Sequence, residues 1–215
     1  MKQRWSDLLF INFEVEHQQL RKVVPDYLEL DSFEGKYFTS VVPFEMSHVS
    51  FPFTPPLPFS RLNELNLRTY VKYQGVSGIY FFTLDSNHKL ANYIARNFFH
   101  LPYRNSKIDM ELKGSSYSVE SDMIDLKVQI KDKKQKSDRD KFLVERYILY
   151  TDNGKNVLRG QVKHKPWELH SVEIERLSEI LNKTYGLGRS GFVDAFYGSG
   201  FDVSFDPFRK VGVIN

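Results

Sequence analysis

Glu64-Leu65-Asn66-Leu67-Arg68-Thr69-Tyr70-Val71-Lys72-Tyr73 is followed by Gln74-Gly75, and then by Gly78-Ile79-Tyr80-Phe81-Phe82-Thr83-Leu84. Both runs are rich in β-branched and aromatic residues, and glycine punctuates the space between them. The pair reads as a hairpin of two strong strands. A strand sends alternate side chains to the same face, so Glu64 and Arg68, four residues apart, share one.

Working outward, Leu8 to Val15 reads as a strand and His17 to Val24 as a short helix stopped by Pro25. Tyr27 to Leu30 and Lys36 to Phe44 read as strands paired across the Glu34-Gly35 turn. The prolines of Phe51-Pro52-Phe53-Thr54-Pro55-Pro56-Leu57-Pro58-Phe59 remove ladder donors, so that segment is expected to be an extended, packed loop. His88 to Phe99 gives the clearest helix, with Leu90, Ile94 and Phe98 on one face and Leu101-Pro102 ending it.

Further strands are expected around Lys107 to Leu112, Ser116 to Glu120, Ile124 to Ile130 and Phe142 to Tyr150. The last of these turns at Asp152-Asn153-Gly154 into Val157 to Lys163. Trp167 to Val172 reads as one more strand, Glu173 to Thr184 as a second amphipathic helix, and Phe201 to Phe205 as a final strand. Lys131 to Lys141 mixes charges of both signs and reads as a solvated hairpin end. With no internal repeat and no linker, residues 1–215 are expected to form one domain. The fold class is mainly β (α+β), an antiparallel β-barrel or sheet with two or three flanking helices.

Composition narrows the functions. The 215 residues carry 30 Lys and Arg against 27 Asp and Glu, a net charge of +3 too balanced to imply nucleic acid. With no cysteine, disulfides, thiolate catalysis and Cys-ligated zinc are excluded. The apolar run from Leu8 to Phe13 is broken by Asn12 and flanked by Asp7 and Glu14, unlike a signal peptide. No stretch is apolar enough for a membrane helix. A cytoplasmic protein without a membrane partner is expected.

Two motifs carry less than their letters suggest. Gly186-Leu187-Gly188-Arg189-Ser190-Gly191 matches G-x-G-x-x-G, but a helix precedes it and Gly/Phe-rich chain follows, the reverse of a dinucleotide loop. It reads as a turn after a helix end. His164 and His170 form the closest histidine pair, and no third ligand accompanies them, so neither a metal nor a cofactor is expected. The more informative set is Glu64, Arg68, Tyr103 and Arg104. Carboxylate, guanidinium and phenol converging on one cavity would make an anion or carbonyl site, whereas an exposed ion pair on an ordinary strand is the plainer alternative.

The run from Asn63 to Gly75, with Gly78 to Phe82 and Ala95-Arg96-Asn97-Phe98-Phe99-His100-Leu101-Pro102-Tyr103-Arg104, is similar to the acetoacetate decarboxylase family. There a strand beginning with a catalytic glutamate runs into V-x-Y-x-G, and a later helix ends in G-R-E-x-W-G-x-P-K-K. More closely, the chain resembles the YqjF-like family of uncharacterised bacterial proteins. Leu28-Glu29-Leu30-Asp31, Val41-Val42-Pro43-Phe44, Pro55-Pro56-Leu57-Pro58, Glu64 to Val71, Leu101-Pro102-Tyr103 and Pro166-Trp167 carry that likeness across most of the chain.

The resemblance implies an acetoacetate decarboxylase-like fold, but its lysine pair is replaced by Tyr103 and Arg104. A phenol cannot form an iminium, and an arginine stays protonated. The family arginine that meets the substrate carboxylate aligns at Glu14, an anion. Lys72 and Lys107 stand nearby as candidates for a relocated amine, although most lysines are solvated surface groups. The expectation is therefore a cavity that binds a small polar or carbonyl metabolite without Schiff-base catalysis. Glu64 and Tyr103 are the tentative acting pair, and Arg68 and Arg104 the ligand-binding residues. A lyase or isomerase using Glu64 as acid or base with Tyr103 is one alternative. An interaction scaffold with a vestigial cavity, making contacts through Phe51 to Phe59, is another, and a homo-oligomer fits any of these.

Overall fold

The computed structural model describes residues 1–50, 61–188 and 191–214. The loop expected at Phe51 to Phe59, and Arg189 and Ser190 of the glycine motif, lie outside the described residues. In chain order, β1 (Lys2–Val15) leads through α1 (His17–Val23) to β2 (Glu29–Leu30), β3 (Tyr37–Ser50), β4 (Arg61–Tyr73) and β5 (Val76–Ser86). Then follow α2 (Lys89–Phe99), β6 (Tyr103–Asn105), β7 (Ile108–Lys113), β8 (Ser116–Ser121) and β9 (Ile124–Lys134). The chain ends with α3 (Asp138–Val144), β10 (Ile148–Asp152), β11 (Asn156–Lys163), β12 (Leu169–Glu179), α4 (Leu181–Thr184), β13 (Gly191–Phe205) and β14 (Arg209–Val213).

One sheet path runs β14-β11-β10-β5-β4-β3-β1-β13-β12-β9-β8-β7, and an extra antiparallel pairing joins β11 to β13 at Val162 and Phe205. That pairing closes β11-β10-β5-β4-β3-β1-β13 into a ring. Every ring strand contributes to one apolar cluster, through Phe10, Val42, Tyr70, Ile79, Leu149, Val162 and Phe196, so this cluster lines the interior. The second cluster takes the opposite faces, including Leu9, Val41, Leu65 and Leu67, and joins them to Tyr117, Val119, Leu126 and Val128 of the trailing β12-β9-β8-β7 sheet. Along β4 the residues therefore alternate, with Leu62 and Tyr70 inward and Leu65, Leu67 and Val71 outward.

Four helices, not two or three, flank the sheet among the described residues, and four local readings change. Glu173 to Thr184 is not a helix. The strand β12 runs to Glu179, paired with β9, and only the single turn α4 follows. A register shift between Ile174 and Arg176 interrupts the strand's alternation. Ile174, Leu177 and Leu181 are thus spaced three and four residues apart, which imitates a helical stripe. Tyr27 to Leu30 does not pair with the strand after the Glu34-Gly35 turn, because Leu30 lies against Val71 of β4. That turn is closed only by the Phe33–Lys36 bridge.

Lys131 to Lys141 is not merely a solvated hairpin end, and the strand expected from Phe142 begins only at Ile148. Between them lies α3, started by a capping box. The Ser137 side chain accepts from the Asp140 backbone N–H at 3.2 Å, and the Asp140 carboxylate accepts from the Ser137 N–H at 2.8 Å. This helix buries Leu143 and Val144 in the ring interior, and the Leu143 carbonyl accepts from the Tyr70 hydroxyl at 2.9 Å. Ser137→Ala is expected to cost about 1 kcal/mol in a urea denaturation curve. No loss would mean that packing alone holds α3.

The helix expected after His88 is present, and the His88 imidazole caps it. Its apolar face is not what anchors it, since Leu90 and Phe98 are exposed. The buried residue is Asn92, whose amide donates to the Ser86 and Arg104 carbonyls at 3.0 Å and to Asn105 Oδ1 at 2.8 Å. These bonds fasten α2 to the chain entering β6, and so fix where Tyr103 stands.

Candidate functional site

Glu64 faces inward with its strand neighbours Leu62 and Asn66 and is only 2% exposed. Opposite it on β3 is Phe44, and on β5 Ser86. Tyr103 reaches the same interior because β6 runs parallel to β5, with Tyr103 beside Leu84, the cross-strand partner of Asn66. The Tyr103 hydroxyl donates to Glu64 Oε2 at 2.6 Å, and Asn66 Nδ2 donates to Oε1 at 3.3 Å.

Burial outweighs these two bonds and pushes the Glu64 carboxyl up to about 7, with the nearby Asp85 charge adding to the rise. The same burial, reinforced by the Glu64 charge, holds the Tyr103 phenol well above its ordinary value. At neutral pH the pair therefore offers a carboxyl that can give or take a proton, beside a phenol that remains a donor.

Arg68 also points inward and is buried, but it does not meet Glu64. Its Nη2 donates to the Leu143 carbonyl at 3.2 Å, and its Cζ lies 5.4 Å from the centre of the Phe10 ring. Arg104 goes to the other side of the sheet. It follows Asp85, whose β4 partner Leu65 faces outward, and it donates to the Tyr185 hydroxyl at 2.9 Å. The structure thus joins Glu64 to Tyr103, keeps Arg68 on the same face, and separates Arg104 from all three. Parity decides this, since neighbouring residues on a strand must face opposite ways.

The lysines are ion-paired. Lys72 meets the buried Asp31 at 2.9 Å, and Lys107, with its side chain 89% exposed, meets Asp109 at 3.3 Å. Glu14 lies opposite Phe38 and pairs with Lys36, at the far end of the sheet from Glu64. Six residues of β4 separate the two levels, about 20 Å along the strand. His164 sits among the rings of Tyr147, Trp167 and Phe201, 4.7–5.1 Å between centres, and burial lowers its pKa. His170 is on β12 against Tyr197, and no group of three or more potential metal ligands occurs among the described residues. Gly186 and Gly188 take positive φ in the turn after α4, with a strand following, so the glycine motif lacks the geometry of a dinucleotide loop.

Two residues that sequence reading passed over belong to this site. Asn66 was visible in the alternation Glu64, Asn66, Arg68, all inward. Asp85 had no comparable signal, because its influence on Glu64 comes across the sheet. Two surface clefts formed by described residues lie elsewhere. One, of ≈ 390 Å³, includes Glu14, His17 and Tyr37, and the other, of ≈ 350 Å³, includes Tyr80, His100 and Asp152.

Residues 2–199 match the family model DUF2071, described as an uncharacterised conserved protein. The chain belongs to this family. It is also 35% identical over 222 residues to the uncharacterised protein YqjF of Bacillus subtilis (strain 168), covering 98% of this chain and 92% of that protein. Solved acetoacetate decarboxylases share the DUF2071 chain's fold. One aligns with a TM-score of 0.75 at 14% identity, over 99% of this chain and 89% of that one. The enzyme from Legionella pneumophila gives 0.70 at 12%, over 100% and 88%. The enduracididine biosynthesis enzyme MppR complexed with pyruvate gives 0.68 at 8%, over 97% and 89%. Among the described residues no helix is long and apolar enough to cross a membrane.

Proposed function

We propose that this DUF2071 protein binds a small polar, carbonyl-bearing metabolite in the ring interior, at Glu64 and Tyr103, without forming a Schiff base. The observation that carries the reading is the buried Glu64 carboxyl, held near neutrality and hydrogen-bonded by Tyr103 at 2.6 Å. An apolar interior strengthens hydrogen bonds to a carbonyl oxygen, and a protonated Glu64 and the Tyr103 hydroxyl are both donors. The similarity of fold to enzymes that handle keto compounds supports this class of ligand. Tyr103 and Arg104 after Leu101-Pro102, with Lys72 and Lys107 ion-paired, support a mechanism without an iminium.

The test is a titration with acetone and related small ketones, following the Glu64 carboxyl by NMR. Saturable shifts are expected, and affinity read on the Tyr103 ring signals, which both proteins share, is expected to weaken about tenfold or more in Glu64→Gln by loss of a charge-assisted or acid-donated hydrogen bond. Silence across the panel would overturn the reading and favour the scaffold. Borohydride reduction in the presence of β-keto acids and aldehydes is expected to leave the intact mass unchanged. An adduct on Lys72 or Lys107 would restore Schiff-base chemistry.

The titration of Glu64 near 7 also favours a second reading, general acid–base catalysis on a carbonyl compound. Deuterium exchange at the carbon beside a bound carbonyl separates the two. Exchange that needs Glu64 makes the protein an enzyme, and binding without exchange makes it a receptor.

A further inference from the structure

Among the described residues, the cations on the interior side of the ring pair with carboxylates, and Arg68 does not. Arg139 is held by Asp194, Arg146 by Asp31, Lys134 by Asp140 and Lys136 by Glu145. Arg68 is 8% exposed and has no carboxylate within 4.0 Å among the described residues. Residues 51–60 and 189–190 contain no Asp or Glu that could supply one. Its Nε is buried without a protein partner, and so is Asn66 Oδ1, two residues along on the same inward face. Arg146 has no anion to lend, because Asp31 already bridges it to Lys72. A buried guanidinium whose company among the described residues is the Leu143 carbonyl, the Tyr70 hydroxyl and the Phe10 ring, with no anion, is costly to the folded chain, since buried charges without a counter-charge are poorly solvated.

We propose that Arg68 is the anion-binding residue of the ring interior, so that the metabolite taken there is a small carboxylate. This rests on the interior being a ligand site, as proposed above, and adds the charge of its occupant. A carboxylate accepts two parallel bonds from a guanidinium edge, and Nε is one donor of such an edge. The apolar wall beside it excludes competing water. Phe10 packs edge-on against Trp167 at 5.2 Å, and Trp167 lies 4.4 Å from Phe201. Burial also lowers the Arg68 pKa and the neighbouring Arg146 charge lowers it further, both of which an incoming anion would relieve.

The experiment is a titration of the full chain with acetate and with its neutral analogue acetamide. The readout is the Arg68 Nε–H signal, assigned through its side-chain correlations. Acetate is expected to shift that signal saturably and acetamide to leave it in place. Arg68→Met is expected to keep or raise the Tm and, followed by the Phe10 ring signals that both proteins share, to bind acetate at least about tenfold more weakly. An Nε–H signal that responds to neither compound, or an Arg68→Met protein that binds acetate as tightly as the unaltered chain, would overturn the assignment. If Arg68→Met does not fold, the acetate and acetamide comparison on the unaltered chain decides alone. Acetone acting at Glu64 while acetate leaves Arg68 silent would sink this inference and spare the carbonyl reading. Acetate acting at Arg68 while acetone leaves Glu64 silent would do the opposite.

Discussion

Asp31→Ala is expected to destabilise the protein by about 3–5 kcal/mol, the cost of leaving a buried charge without its partner. Asp31 is 4% exposed and receives two cations, Lys72 on one oxygen and Arg146 on the other, each at 2.9 Å. Lys72 can turn to water, but Arg146 cannot. Its guanidinium is packed over Phe142 at 4.1 Å and Tyr70 at 5.4 Å, and its Nε is committed to the Phe142 carbonyl at 2.7 Å. Without Asp31 its charge would add, unneutralised, to that of Arg68 beside the same Tyr70.

The measurement is a urea denaturation series. The midpoint is expected to fall with little change in slope, and Asp31→Asn is expected to lose nearly as much, because it keeps the shape and removes the charge. Adding Arg146→Met to Asp31→Ala is expected to recover part of the loss. Equal stability of Asp31→Ala and the unaltered chain would show that Arg146 finds other solvation.

Glu64→Gln is expected to stabilise the protein above neutral pH by up to about 3 kcal/mol, converting the pKa rise at 1.36 kcal/mol per unit. In the folded chain Glu64 titrates at about 7, against an ordinary value of 4.5. Between those values the folded state keeps a proton that the unfolded state has lost. Stability contributed by this group is therefore full below about 4.5, falls as pH rises to about 7, and is flat beyond. Glutamine has no such titration, and Tyr103 can reorient its hydroxyl to an amide oxygen. The check is the urea midpoint of both proteins from pH 4 to 9. The difference curve is expected to rise through that window, and parallel curves would mean that Glu64 titrates normally. Tyr103→Phe is the companion variant. The Tyr103 bond lowers the Glu64 pKa, so its removal is expected to move the window upward.

The strand hairpin around Gly75, the sharing of one face by Glu64 and Arg68, and the mainly β class are legible in the residues alone. The chain also carries a phenol at Tyr103, and no fold makes a phenol form an iminium. Local signals sufficed for these because alternation and turn chemistry act over a few residues. Sequence spacing failed at β12, where a shifted register imitates a helix, and at α3, whose capping box lies in a charge-dense run.

Which of the predicted site residues meet is set by contacts between distant parts of the chain. Tyr103 is 39 residues from Glu64 in the chain, and it arrives because β6 lies parallel to β5 and Asn92 fastens the intervening helix. The same pairing turns Arg104 away. The titration of Glu64 depends on burial and on Asp85 across the sheet, and the charge of Arg68 stands without a carboxylate among the described residues because Asp194 and Asp31 are spent on Arg139 and Arg146. Burial and long-range pairing have no local code in the chain. They exist only once β11 meets β13 and the ring has an inside.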